Sequence, residues 1–149
     1  MPNWCEGTLK VRGTKENLTR FILEGLHPVG FLGDAKEPLK PDDYGHITCQ
    51  TNCWIEGTRR GFVTDLDAWV CDIEDMSVVC LETKFAWGIE AEQLLDVCKK
   101  YNVDMKIYAF ERGMEFNQDI EIVNGQIVKD EEIQFDDYTW ECVCPTMGG

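Results

Sequence analysis

Two stretches of this sequence place apolar residues at the spacing of one helix face, and stretches of alternating apolar and polar residues lie before and after each of them. The helical stripes are Leu18, Phe21, Ile22 and Leu26 in the first stretch, and Ala91, Leu94, Leu95, Cys98 and Tyr101 in the second. A helix repeats about every 3.6 residues and a strand every two. The patterns therefore predict helices near residues 14–25 and 89–101, and strands near 4–12, 67–73, 77–85 and 103–110.

The two middle strands are separated only by Glu74, Asp75 and Met76, a polar turn that predicts an antiparallel hairpin between 67–73 and 77–85. The order strand, helix, strand, strand, helix, strand describes two halves that share one sheet, with both helices on one face. The sequence therefore predicts an α+β fold, a ferredoxin-like sandwich (βαββαβ).

Three segments fall outside this order. Residues 27–64 contain several prolines and glycines without a clear period, which predicts an irregular insertion. Asn124 and Gly125 stand between two apolar runs and predict an added C-terminal β-hairpin. Residues 129–149 are expected to form an acidic C-terminal extension. Since 149 residues is the usual length of one domain, we expect a single domain over 1–149.

Acidic residues outnumber basic residues two to one, with 28 Asp and Glu against 14 Lys and Arg and a formal net charge of −14. Nine of those acids and only one base lie within residues 115–149. Such a surface repels nucleic acid and anionic membranes and favours a basic protein partner. The alternative is that the acids serve solubility alone. The residues predicted to contact a basic partner are Asp130, Glu131, Glu132, Asp136, Asp137 and Trp140.

The N-terminal residues lack the basic and apolar regions of a signal peptide, and no apolar run approaches the roughly 20 residues that span a membrane. We therefore expect a cytoplasmic protein without membrane contact, whose eight cysteines need no disulfide. His46, Cys49 and Cys53 are metal-ligand residue types, with Cys142 and Cys144 as a second pair. Their spacing differs from that of structural zinc sites, so we expect no metal and no other cofactor.

No catalytic motif stands out, and three kinds of site remain open as alternatives. Acid pairs that could converge are Asp65 with Asp67, Asp72 with Glu74, and Glu111 with Glu115. Tyr108 and Phe110 with Lys106 resemble the aromatic and basic residues with which a sheet face binds single-stranded RNA, although the net charge of −14 opposes that use. A pocket for a small molecule could include Arg59, Arg60, Trp87, Arg112 and Glu115.

Several segments resemble the YubB-like family of ferredoxin-like proteins. They are Met1-Pro2-Asn3-Trp4-Cys5 with the strand and helix behind it, Phe85-Ala86-Trp87 before the second helix, Glu111-Arg112-Gly113-Met114-Glu115-Phe116, and the Asn124-Gly125 hairpin. The middle differs, because Glu56-Gly57-Thr58-Arg59-Arg60-Gly61 stands where the family shows a Trp-Gly-Thr-Lys-Trp-Asp-like segment. Members occur on bacteriophages and plasmids and have no established chemistry, so the resemblance implies a ferredoxin-like fold and a mobile-element origin without supplying an active site.

These observations lead to two functional hypotheses. The first is a non-enzymatic acidic binding protein of a phage or other mobile element that inhibits a basic host defence protein or nuclease by mimicking the charge of nucleic acid. The alternative is a small-molecule (nucleotide) binder or an enzyme acting on nucleotides. A continuous acidic face would favour the first hypothesis, and a concave, partly basic pocket around Arg59, Arg60 or Arg112 would favour the second.

Overall fold

Ten strands and three α-helices follow one another along residues 1–149, all of which are described by a computed structural model. In chain order they are β1 Trp4–Gly13, α1 Lys15–Gly25, β2 Leu26–Pro28, β3 His46–Cys49, β4 Cys53–Ile55, β5 Gly61–Val63, β6 Leu66–Trp69, β7 Ser77–Ala86, α2 Ala91–Tyr101, β8 Asp104–Glu111, β9 Phe116–Val123, β10 Gln126–Gln134 and α3 Tyr138–Glu141. A single turn of 3₁₀-helix, Val70–Asp72, follows β6.

Eight of the strands form one sheet in the order β10-β9-β8-β1-β7-β5-β4-β2, and β3 pairs with β6 in a separate two-stranded sheet. Every pairing is antiparallel. The predicted α+β class is therefore confirmed, with one large antiparallel sheet at its centre.

The core lies between one face of this sheet and helices α1 and α2. Along β1, Cys5, Leu9 and Val11 are fully buried, whereas Lys10 and Arg12 are exposed. The apolar stripes of both helices join the same core, where the rings of Phe21 and Tyr101 meet edge to face with their centroids 5.6 Å apart. The alternation of β1 thus leaves the opposite face of the sheet to polar and charged side chains.

The predicted hairpin of strands 67–73 and 77–85 is wrong. Strand β6 pairs with β3, where Leu66 lies opposite Cys49, while β7 lies between β1 and β5. Both edges of β7 are occupied, because it pairs with β1 over ten residues from Trp4↔Ala86 to Gly13↔Ser77 and with β5 on its other side. The intervening residues form the 3₁₀ turn, and Met76 reverses the chain with a φ of 62°.

Residues 27–64, which the sequence predicts to be irregular, hold four short strands. Strands β2, β4 and β5 extend the main sheet beyond β7, and β3 forms the small sheet with β6. Each has three or four residues, too few to show a period in the sequence.

The segment predicted as an acidic extension is divided in two by the structure. Residues up to Gln134 belong to β10, the edge strand of the main sheet. The remaining residues fold back over the open sheet face, where Tyr138 and Cys142 bury Phe110. The hydroxyl of Tyr138 donates to Oδ1 of Asn117 at 3.0 Å, which holds this segment in place. None of the three helices is long and apolar enough to cross a membrane.

A carboxylate joins the second helix to the strands beyond β7. Glu56 lies in the turn between β4 and β5, and its side chain accepts hydrogen bonds from Lys100 Nζ, from His27 Nε2 at 3.1 Å and from the hydroxyl of Tyr101 at 3.0 Å. The hydrogen bond from Lys100, followed by that from His27, lowers the pKa of Glu56 to about 2. A carboxyl whose pKa is lower in the folded chain than in the unfolded chain stabilises the fold while it is ionised.

We therefore expect Glu56→Gln to lower the free energy of unfolding by about 1–2 kcal/mol at neutral pH, a value reduced for the partial exposure of the side chain. The contribution is present above the unfolded pKa of 4.5 and is lost as the pH falls toward 2. The difference between the variant and the parent protein should accordingly shrink between about pH 5 and pH 2. Urea unfolding across that range measures it, with Glu24→Gln on the exposed face of α1 as the control. A difference that does not change with pH would contradict this role.

Candidate functional site

Three of the predicted pocket residues, Arg59, Arg60 and Trp87, line one cleft of about 250 Å³. The arginines follow the turn between β4 and β5, and Trp87 comes directly after β7. Phe116 of β9 and Gln93 of α2 contribute further walls. The register Gly61↔Phe85 places the start of β5 beside the end of β7, so residues from distant parts of the sequence meet there. We call this hollow the arginine cleft.

Trp87 is an exposed aromatic residue held in a conformation that side chains rarely adopt. Its φ is +68°, its side chain is 59% exposed, and Gly88 follows with a φ of +128°. The Trp87 N–H donates to the carbonyl of Asn3 at 2.8 Å, which continues the pairing of β1 with β7 by one residue. A left-handed backbone at a bulky residue costs about 1–3 kcal/mol and is found mainly at functional sites.

Gln118 fixes the segment that carries Trp87. Its buried amide makes a paired contact with Ile89, donating from Nε2 to the carbonyl at 3.0 Å and accepting the backbone N–H at Oε1 at 2.8 Å. The thiol of Cys5 donates to the same oxygen at 3.6 Å. Burial raises the pKa of Cys5 to about 12, so the thiol keeps its proton. Hydrogen bonds to the buried Gln118 therefore hold the backbone next to the strained Trp87.

The turn that carries Arg59 and Arg60 is also held in place by hydrogen bonds. Thr58, which is buried, donates from Oγ1 to the carbonyl of Ile55 at 2.7 Å and accepts the N–H of Gly61 at 3.1 Å. The N–H of Arg59 donates to Oε1 of Gln93 at 2.8 Å. Both arginine side chains are exposed, and neither has an acidic partner within 4.0 Å. Nine of the 14 lysines and arginines lack such a partner, and these two lie together at the arginine cleft.

A second hollow of about 910 Å³ lies against the arginine cleft and shares Arg60 and Trp87 with it. It is lined by Trp4, whose ring lies 6.1 Å from that of Phe62 in an edge-on arrangement. Lys84 Nζ lies 4.8 Å and Arg60 Cζ 5.7 Å from the centroid of the Trp4 ring. No carboxylate lines this hollow. We call it the Trp4 groove.

The other two predicted pocket residues lie elsewhere. Arg112 and Glu115 belong to the turn between β8 and β9, where Arg112 donates to the carbonyl of Thr146 at 3.4 Å. The buried Glu111 fixes that turn by accepting the N–H groups of Gly113 and Met114, both at 2.8 Å. Arg112 therefore contacts the C-terminal segment, and neither Arg112 nor Glu115 lines the arginine cleft.

The acid pairs suggested by the sequence are engaged in local structure. Asp67 pairs with His46 Nε2 at 2.6 Å, and the ring of His46 stacks on that of Trp69 at 4.0 Å between centroids. The carboxylate of Glu111 is taken up by its own turn. Asp72 lies in the 3₁₀ turn and Glu74 in the loop that follows, so the two do not share a strand face.

The residues with metal-ligand side chains are not gathered around a common point. His46 and Cys49 lie three residues apart on β3, and the alternation of a strand turns them to opposite faces. Cys49 Sγ contacts Thr51 Oγ1 at 3.3 Å instead. No group of three or more His, Cys, Asp or Glu side chains is placed to hold a metal ion.

The predicted partner-binding acids are exposed but do not share one face. Asp130 lies opposite Ile120 and Glu132 opposite Gln118, on the helix side of the sheet, whereas Glu131 lies opposite Asp119 on the open side. Glu132 also reaches the rim of the arginine cleft. Asp136 lies in the loop before α3, and Asp137 caps α3 by accepting the N–H of Trp140 at 3.2 Å. Trp140 itself is 86% exposed.

The sheet-face residues considered for RNA are partly covered. Phe110 is buried beneath Tyr138 and Cys142, Tyr108 accepts a hydrogen bond from Asn117, and Lys106 pairs with Glu121 at 3.5 Å.

The residues of the Trp4 groove that the sequence did not indicate as site residues are Trp4, Phe62 and Lys84. The available signal was the position of Trp4 on the same strand face as Glu6, Thr8 and Lys10, where an apolar ring is unusual.

Replacing Gln118 should test the support of Trp87. In Gln118→Leu, the N–H and carbonyl of Ile89 lose their buried partners, so we expect the free energy of unfolding to fall by about 1–3 kcal/mol. Trp87 should also become more mobile, which fluorescence anisotropy of a variant with Trp87 as its only tryptophan would detect. Gln134→Leu on the exposed edge strand is the matched control. Equal stability of the two variants would argue against the support.

Comparison with protein-family models, with curated proteins and with solved structures gives no match. The resemblance to the YubB-like family therefore stays a prediction.

Proposed function

We propose that this protein is a non-enzymatic binding protein whose arginine cleft takes a nucleotide. The observation that carries the proposal is the meeting of two unpaired arginines with an exposed, strained tryptophan at one cleft. Guanidinium groups match phosphate through paired hydrogen bonds, and an indole ring stacks on a nucleobase.

The remaining cleft residues fit the other parts of a nucleotide. Phe116 also lines the cleft and offers a second ring to a base. Glu90, whose carboxylate accepts from Gln93 Nε2 at 2.8 Å, and Glu132 lie at the rim and can accept hydrogen bonds from ribose hydroxyl groups. These carboxylates limit the total negative charge that the cleft accepts, which favours a monophosphate over a triphosphate.

The strand order supports a ferredoxin-like core for this proposed binding protein. Strands β1 and β5 are parallel to each other with β7 between them, and β7 and β8 are parallel with β1 between them. Helices α1 and α2 follow the first strand of each pair, which gives the split arrangement of that fold. On this interpretation β2 to β4 and the β9–β10 hairpin are additions, and the arginine cleft lies where both additions meet the core.

The test is a calorimetric titration of the protein with adenosine monophosphate. We expect saturable binding that Trp87→Ala weakens by about 10-fold, the usual effect of losing one base–aromatic stack. Arg59→Ala should weaken it by a similar factor and reduce its dependence on salt.

Two exposed residues outside the cleft provide matched controls for that titration, Trp140→Ala for the tryptophan and Arg112→Ala for the arginine. If none of the four substitutions changes the affinity, the nucleotide binds outside the arginine cleft. An absence of binding at millimolar ligand would reject the nucleotide site.

A second candidate function is the inhibition of a basic host defence protein or nuclease by a phage or mobile-element protein in the host cytoplasm. The observation that favours it is the edge strand β10, which exposes Asp130, Glu131 and Glu132, together with the exposed Trp140 of α3. Acidic side chains steer a basic partner toward its binding site, and an exposed tryptophan can anchor it. The mobile-element origin rests on the resemblance alone.

For this second candidate we expect Glu131→Lys to slow association with a basic partner captured from host lysate more than it speeds dissociation. Glu131 suits this test better than Asp137, because Asp137 caps α3 and its replacement would also lower stability by about 1 kcal/mol. Surface plasmon resonance at low and high salt measures both rates, with Glu24→Lys on α1 as a control of equal charge change. Equal effects of the two variants would indicate that the acids of β10 contribute only to solubility.

A further inference from the structure

We infer that the Trp4 groove holds a second nucleobase, so that the preferred ligand is two nucleotides joined by a phosphodiester, as at the end of a nucleic acid single strand. This inference rests on the proposed nucleotide site and specifies the ligand of that site. It follows from the contents of the groove and from its position.

The groove and the arginine cleft are adjacent and share two residues. Arg60 and Trp87 line both hollows, with the cleft on one side and Trp4 on the other. A ligand that places one base in the cleft would carry its next phosphate past Arg60 into the groove. The two hollows therefore meet at Arg60 and Trp87. The cleft, with Phe85, lies on the helix side of the sheet, and the groove, with Trp4 and Lys84, lies on the open side.

The groove has the composition that single-stranded nucleic acid requires. Its aromatic side chains are Trp4, Phe31, Phe62 and Trp87, and its cations are Arg60 and Lys84. Phe31 is fully exposed, so the outer wall of the groove presents an unused ring to solvent. Aromatic rings accept any base by stacking, and cations beside them hold the phosphate between two bases.

The charge around the groove selects a phosphate-bearing ligand in spite of the net charge of the chain. Lys84 and Arg60 have no acidic partner within 4.0 Å, and no carboxylate lines the groove. Charges farther away than about 8 Å are largely screened at physiological ionic strength. The local positive charge therefore acts on a phosphate there, while most of the 28 acids do not.

The same charges limit the length of the ligand. Glu6 lies directly opposite Lys84 on the neighbouring strand without lining the groove, and Glu90 and Glu132 line the arginine cleft. A strand that continues past either end brings its phosphates toward these carboxylates. Affinity should therefore rise from one nucleotide to two and change little with further nucleotides.

The experiment compares adenosine monophosphate, diadenylate with the same terminal phosphate, and decaadenylate. We expect diadenylate to bind about 10-fold more tightly than the monophosphate, and decaadenylate to bind within about threefold of diadenylate. Trp4→Ala should remove the gain from the second nucleotide and have the smaller effect on monophosphate binding, because Trp4 contacts the arginine cleft only through Arg60. Trp140→Ala is the control.

Since Trp4 is partly buried, Lys84→Gln supplies an independent variant. We expect it to reduce the slope of log affinity against log salt by about 0.7 for diadenylate and not for the monophosphate. Equal affinities for one and two nucleotides, or equal losses for both ligands in Lys84→Gln, would overturn the second-base site while leaving the nucleotide site intact. Failure of every ligand to bind would overturn both.

Discussion

The pairing of β1 with β7 is the contact on which the rest of this structure depends. It runs for ten residues, and β1 pairs on its other side with β8, so β1 joins the two halves of the main sheet. Buried Cys5, Leu9 and Val11 on β1 hold both helices to that strand pair. The ladder also determines the location of the candidate site, because its last pair, Trp4↔Ala86, is followed at once by the exposed Trp87.

The parts of the fold that the sequence predicted are the helices and strands long enough to show a periodic pattern. Helices α1 and α2 and strands β1, β7 and β8 each have eight or more residues, enough for a period of 3.6 or two to emerge. Strands β2, β4 and β5 have three residues each. They depend on the free edge of β7, because β5 pairs with that edge and β4 and β2 follow outward from β5. The wrong hairpin has the same origin, since the partner of a strand depends on the whole sheet and not on the nearest apolar run.

The candidate site was predictable to a similar extent. Arg59, Arg60 and Trp87 stood out because an arginine pair and a tryptophan are chemically distinctive in an acidic chain. Trp4, Phe62 and Lys84 did not, because their meeting requires the register Phe62↔Lys84 across β5 and β7 and the register of β7 with β1. Residue type alone suggests which side chains could bind, and strand register decides which of them meet.

Of the 14 lysines and arginines in this chain, five have a carboxylate partner and nine have none. Arg12, Lys36, Lys100, Lys106 and Lys129 each lie within 4.0 Å of a carboxylate. Arg59, Arg60 and Lys84 have no such partner and lie together around Trp87. Glu90 and Glu132 line the arginine cleft without pairing with its arginines. Under the proposed function, the phosphate of the nucleotide supplies the anion for these cations.

The rigidity of the site bears on how tightly such an anion could bind. Gln118 makes paired hydrogen bonds to Ile89, Thr58 ties the arginine turn to β4, and Gln93 holds the backbone of Arg59. These contacts fix the backbone before a ligand arrives, so binding has to order only the arginine and lysine side chains. Ordering one long side chain costs about 0.5–1.5 kcal/mol, whereas ordering a loop costs that amount for each residue and more. The strain at Trp87 is thus compatible with tight binding, because the surrounding hydrogen bonds offset it in the folded protein itself.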